Sequence, residues 1–315
     1  MNLKKKTILS ICLFFLIFGG LLITATFTDL QVSNILTKFS LPEGQYYADD
    51  IFGSVFETIG TSPEYFIGAF AFQIILIYIT RFWNKKALKT LLVAAAAVAS
   101  FGLYCVWFNE MFNYIFRHYD ISPAFIWGVI GFLGCFTTVF GTLAVNNFSD
   151  ESIKKMLKFA FVTLVAMEAA VLTVQMIKIP MGRMRYRAMN TINDFSYYTR
   201  WYVANGQPDK DMMRSLFGTT DACKSFPSGH TRAAASLFYF TTLIDVLGVK
   251  SKKVRFFVWI GAFLFTALVA VSRIMVGAHF FSDVLIGGTI GFVYVILSKE
   301  FFICGCSHIK SLIKR

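Results

Sequence analysis

The 315-residue sequence has no internal repeat and no low-complexity tract, which sets aside solenoid architectures and disordered linkers. It is poor in charge, with only 15% charged residues against roughly 25% in a soluble domain. It lacks the alternating segments of about 10 residues that a transmembrane β-barrel needs. No carboxylate cluster and no H-x-x-H or C-x-x-C spacing occurs, so no metal centre is expected. Six cysteines are present, but Cys12, Cys105 and Cys135 fall inside apolar blocks, so no disulfide framework is expected. The basic start at 1–6 resembles a secretory leader. The apolar run after it is too long, however, and no A-x-A site follows, so an uncleaved anchor is expected.

What the chain has instead is apolar sequence: 56% hydrophobic residues and a mean hydropathy of +0.61. These residues gather into blocks of roughly 20, the length that crosses a hydrocarbon core of about 30 Å. The expected fold class is an all-α polytopic membrane protein. Eight spans are predicted near 7–27, 64–82, 89–108, 124–145, 157–177, 230–248, 255–275 and 283–303. The net charge of +12 is no sign of nucleic acid, because most lysines cluster in connectors beside the apolar blocks. "NLKKK", "RFWNKKALK", "SIKKMLK", "KSKKVR" and "HIKSLIKR" all fall on one side, whereas the opposite connectors at 28–63 and 109–123 hold only Lys38 and Arg117. The positive-inside rule then places both termini in the cytoplasm. Short connectors suit a bacterial cytoplasmic membrane. Cys304 and Cys306 end the last span, where palmitoylation is conceivable against a plain interfacial role. In 28–63, "LQVSNILTKF" has loose helical spacing and could lie at the interface. The aromatic stretch "FSYYTRWYVANG" suits headgroup level, either as an ordinary aromatic belt or as a lid or lipid-entry surface.

Three polar clusters share the outer level. The first follows the fifth span and contains Lys178, Arg183 and Arg185. The second, "FPSGHT", opens the sixth with Ser228, Gly229 and His230. The third, "SRIMVGAHFFSD", joins the last two spans and carries Arg273, His279 and Asp283. Ionisable groups at membrane depth are functional-site candidates. Asp283 lies four residues after His279, so it can hold one imidazole nitrogen and leave the other as nucleophile or base. The alternative is a capping aspartate with an incidental histidine. "FPSGHT" reads as a turn entering a helix whose free amides suit an anion, with His230 able to protonate a leaving oxygen; a plain helix start explains the same residues. Lys178, Arg185 and Arg273 have an ordinary reading as snorkelling residues. That reading conflicts with their outer position, and a bound phosphate resolves the conflict. Glu168, mid-span and about 15 Å from Lys178, is expected to hydrogen-bond between helices, and Asp245 to pair with nearby lysines.

The order K-x6-R, P-S-G-H, S-R-x5-H-x3-D resembles the type 2 phosphatidic acid phosphatase superfamily, which includes membrane lipid phosphatases and glucose-6-phosphatase. The resemblance covers about 89–303 as a six-helix core. Residues 1–88 form two additional spans with an outer loop, and 304–315 a basic cytoplasmic tail. It implies that His279 attacks phosphorus, Asp283 orients it and His230 serves the leaving group and then water. It also implies that Lys178, Arg185, Ser228, Gly229 and Arg273 bind phosphoryl oxygens, with no cofactor and no metal. The first motif departs from the family's pattern: Tyr186 stands where proline usually follows the arginine, and Arg183 and Arg187 compete with Arg185, Arg183 being the nearer alternative. The membrane setting favours an amphiphilic substrate such as a lipid phosphate or polyprenyl pyrophosphate, with a sugar phosphate as a further option. Two other functions fit the same residues: phosphotransfer to a lipid or sugar acceptor, and non-enzymatic transport or binding of a phospholipid.

Overall fold

The computed structural model describes residues 3–303 apart from 49, 117 and 118, with only the backbone of 3–7, 301 and 302. Arg117, Cys304, Cys306 and the basic tail 304–315 therefore lie outside the described residues. The described chain is helical, without a strand. The helices are α1 (Leu3–Leu36), α2 (Ile51–Ile59), α3 (Ser62–Phe82), α4 (Lys86–Ile115), α5 (Pro123–Asn146) and α6 (Asp150–Met181). There follow α7 (Tyr186–Ile192), α8 (Lys210–Phe217), α9 (Gly229–Ala234), α10 (Tyr239–Val246), α11 (Lys252–Met275) and α12 (Phe281–Leu297). Seven stretches among the described residues are long and apolar enough to cross a membrane. The protein is an all-α polytopic membrane protein. In lipid, every backbone polar group must bond within its own segment, which is why the apolar blocks form helices.

The sixth expected span differs. Residues 230–248 form no single long helix; α9, a 3₁₀ stretch Ala235–Phe238 and α10 follow one another. This segment sits against α3, α11 and α12, which screen it from lipid. The screening lets it contain Arg232, which forms a two-pronged ion pair with Glu64 at the start of α3. The first helix also differs from expectation. It runs on to Leu36, so most of "LQVSNILTKF" continues α1 instead of forming a separate interfacial helix. The connection that follows is correspondingly shorter and includes α2.

The apolar core centres on α3. Ile67, Ile74 and Ile77 meet Ile153, Met156 and Phe159 of α6, with Tyr239 and Leu243 of α10 in the same cluster. At one end of the bundle, Arg81 bonds Asp150 at 2.7 Å and the Phe148 carbonyl at 2.9 Å. There Asp245 pairs with Arg255 and, at 2.6 Å, with Lys299. At the other end lie the C-termini of α6 and α11 and the N-termini of α9 and α12, and all the candidate site residues with them. Glu168 lies on an exposed face of α6 with no partner among the described residues, so the expected interhelical hydrogen bond is not formed.

Candidate active site

Local chemistry turns each cluster toward the others. α6 ends at Gly182, whose φ of +49° is left-handed. A methyl group there would overlap the Gly206 carbonyl, so only glycine fits. The chain beyond it is stitched to the other two clusters by backbone hydrogen bonds. Arg185 N–H donates to Ala222 O at 2.8 Å, Ser225 N–H to Arg183 O at 3.0 Å and Arg187 N–H to Gly277 O at 2.9 Å. Ser228 N–H donates to Asp283 O at 3.0 Å, closing the circuit. Gly287 of α12 allows this approach, since a side chain there would overlap the Ser228 carbonyl. Three segments distant in sequence thus form one backbone-bonded unit.

His279 is 2% exposed. Its Nδ1 lies 2.5 Å from the Ser225 carbonyl. A carbonyl only accepts, so Nδ1 holds the proton and Nε2 keeps its lone pair. Burial pushes the imidazole pKa down to about 3; Asp283 opposes this, and Arg185 and Lys178 add to it. The ring is therefore neutral at physiological pH. Asp283 Oδ2 stands 3.8 Å from Nδ1, beyond hydrogen-bonding distance. It reaches the histidine through Ser225 instead. Ser225 Oγ donates to Asp283 Oδ2 at 2.5 Å, while the carbonyl of the same residue holds Nδ1. Phe280 N–H also donates to Asp283 Oδ2, at 2.8 Å, fixing the first turn of α12.

The cations divide into two groups. Lys178 has no partner among the described residues, and its Nζ would lie 3.7 Å from a methyl group on Gly229. It also borders a cavity of about 370 Å³ lined by Gln175, Gln207, Lys210, Arg214 and Lys224. Arg185 Nε donates to Asp221 O at 2.8 Å. Arg273, 1% exposed, donates to Glu57 at 3.0 Å, and its Nε is unpaired. Arg183 is different. Its Nε donates to Thr199 O at 2.8 Å, and Nη1 to Ser282 Oγ at 2.9 Å and Asp283 Oδ1 at 2.6 Å. Nη2 donates to Asp29 at 2.9 Å. Four of its five N–H groups are thus occupied, and its guanidinium lies over the Phe280 ring at 4.1 Å. It holds Asp283 in place, and little of it is left for a ligand.

Ser228 is fully buried, and its hydroxyl caps α9 by accepting Thr231 N–H at 3.3 Å. His230 begins that helix, with Nε2 3.4 Å from the Tyr114 hydroxyl of α4. The aromatic loop packs over the same turn. Trp201 lies nearly parallel to Phe226, 6.2 Å between ring centres, and its Nε1 donates to Thr26 of α1 at 2.9 Å. Tyr197 and Tyr202 remain half exposed.

Several of these contributors escape the sequence reading. Asp29 and Glu57 look like loop acids, yet both are buried beside site arginines. Tyr114 carries no signal in the sequence, and Ser225 stands one residue before the second motif. The available signal for Asp29 is one charge at the end of a long apolar run. Nothing in the sequence alone pairs it with a residue 154 positions away.

The PAP2 superfamily model matches residues 159–302, α6 through the turns after α12. No curated protein and no solved structure matches the chain. The matched region contains all three polar clusters and the helices that hold them. With seven membrane-capable helices among its described residues and a match to the phosphatase-type PAP2 superfamily over residues 159–302, the protein is of the membrane phosphatase class.

Proposed function

We propose that the protein hydrolyses a phosphate monoester or diphosphate of an amphiphilic substrate through a phosphohistidine intermediate. The observation that carries this reading is the state of His279: neutral, with its Nδ1 proton held by the Ser225 carbonyl at 2.5 Å and Nε2 unprotonated. That is the form a nucleophile needs. In the first step Nε2 attacks phosphorus and the P–O bond to the leaving group breaks, and His230, which takes up a proton as the phosphate dianion binds beside it, gives that proton to the departing oxygen. In the second, His230 takes a proton from water, the hydroxide attacks phosphorus, and the P–N bond breaks to release inorganic phosphate.

As the phosphoryl group passes through its transition state, Lys178, Arg185 and Arg273 stabilise the charge on its oxygens. Gly229 leaves room beside the Lys178 ammonium, and Ser228 sets the turn that presents His230. Asp283 acts through Ser225 to keep the His279 ring in one orientation. No metal enters these steps. The lysine-rich connectors at the opposite end of the bundle favour cytoplasmic termini and a site at the outer face. There a lipid headgroup meets the site while its chain stays in the bilayer. A lipid phosphate or polyprenyl pyrophosphate suits this position.

The test is phosphate release by detergent-purified protein from a panel of lipid and sugar phosphates, in excess EDTA, beside His279→Ala. Metal-independent release that the variant lacks is the expected result. Release unaffected by the substitution contradicts the assignment of the nucleophile.

A further inference from the structure

We infer that Asp29, on α1 and outside the family-matched region, is a positioning residue for phosphoryl transfer that acts through Arg183 on Asp283. This rests on the phosphohistidine reading above and adds to it a residue that the three motifs do not contain.

α1 meets the rest of the molecule along one narrow stripe. Ala25, Asp29 and Ser33 are spaced four apart and each is at most 1% exposed, while most neighbouring positions face outward. Small and weakly polar residues suffice to pack helices in lipid. A carboxylate there is expensive, so its presence calls for specific partners. Asp29 has them. Ser282 N–H donates to Oδ1 at 2.8 Å, Ser282 Oγ to Oδ2 at 2.5 Å and Arg183 Nη2 to Oδ2 at 2.9 Å. Ser282 immediately precedes Asp283, so Asp29 holds the first turn of the helix that carries the catalytic-site aspartate.

The same guanidinium joins both carboxylates. Arg183 reaches Asp29 through Nη2 and Asp283 through Nη1, and the side chains of all three are fully buried. Two anions share one cation, so Asp283 keeps negative character toward Ser225 and His279. Remove the Asp29 charge, and Nη2 loses its anionic partner and can turn with Nη1 onto Asp283. A two-pronged pair of that kind draws Asp283 away from Ser225 Oγ and the Phe280 amide. His279 is the residue before Phe280, so the nucleophile loses its fixed position. Misplacement of this kind affects the chemical step more than substrate binding. A misplacement of about 1 Å at the reacting atoms can cost about 100-fold in rate.

The experiment compares Asp29→Asn, Ser282→Ala and Ser33→Ala with wild-type protein, all purified in one detergent and checked for folding by thermal unfolding. Asp29→Asn is expected to lower kcat about 10–100-fold with KM within about threefold. Ser282→Ala removes one shared hydroxyl without burying an unpaired charge. It is expected to lower kcat about 3–10-fold, the value of one hydrogen bond, and it carries the test should Asp29→Asn not fold. Ser33→Ala lies on the same stripe, where the Ser33 hydroxyl has no partner, and should leave both constants unchanged. Folded Asp29→Asn or Ser282→Ala with wild-type kcat overturns the inference, as does a loss confined to KM. A wild-type protein inactive on every phosphate ester overturns the phosphatase reading and this inference with it. An active wild type with unaffected variants overturns this inference alone.

Discussion

His279 links the chemistry of the site to the stability of the fold. Its imidazole is buried with Nδ1–H on the Ser225 carbonyl, and its pKa is lowered to about 3, against about 6.5 in an unfolded chain. Between those values the unfolded state binds the proton and the folded state does not, so stability rises with pH and falls on acidification. At pH 7 both states are largely neutral and the group contributes little. At pH 5 the unfolded chain is mostly protonated, and the loss is about 2 kcal/mol. His279→Asn keeps a side-chain N–H for the Ser225 carbonyl but does not titrate. Denaturation of wild-type and variant protein at pH 7 and pH 5 isolates the contribution as a difference of differences. Wild type should lose about 2 kcal/mol more than the variant over that interval. Parallel losses would show that His279 is not held neutral, and would remove the basis for an unprotonated Nε2 at rest.

Other consequences concern the scaffold. Glu64→Gln leaves Arg232 buried without its counterion, two residues beyond His230, and should destabilise the fold by about 3–5 kcal/mol, measured by denaturant unfolding. Gly287→Ala places a methyl group on the Ser228 carbonyl; the resulting overpacking should cost about 1–3 kcal/mol, with kcat falling because Ser228 and Asp283 are backbone partners. Glu168→Leu should leave turnover within about twofold of wild type, since the side chain lies about 15 Å from Lys178 along α6 and has no partner in the site. A large loss of turnover would place Glu168 in the reaction path.

The spans were legible because lipid leaves the backbone no alternative to helices or closed barrels, so block length alone locates most of them. The rule fails at 230–248 for a physical reason. That stretch is screened by α3, α11 and α12, so it follows packing instead of hydropathy, and accommodates a 3₁₀ stretch and Arg232. The motifs were legible as residue types at fixed spacing. The wiring between them was not. An i, i+4 spacing suggests that Asp283 touches His279 directly, yet the carboxylate stops 3.8 Å away and works through Ser225. Spacing from Lys178 favours Arg185 over Arg183, but it does not reveal what occupies Arg183. That occupant is Asp29, whose burial beside Arg183 is a product of how α1 packs. Glu57 beside Arg273 is a second case of the same kind.

The central claim is that His279 accepts the phosphoryl group on Nε2. It is tested most directly by mixing the protein with a phosphate-labelled lipid substrate, quenching with alkali during turnover and mapping the labelled peptide. The account predicts an alkali-stable, acid-labile phosphoryl group on His279, absent from His279→Asn. Turnover without a label on His279, or with the label on another residue, would contradict it.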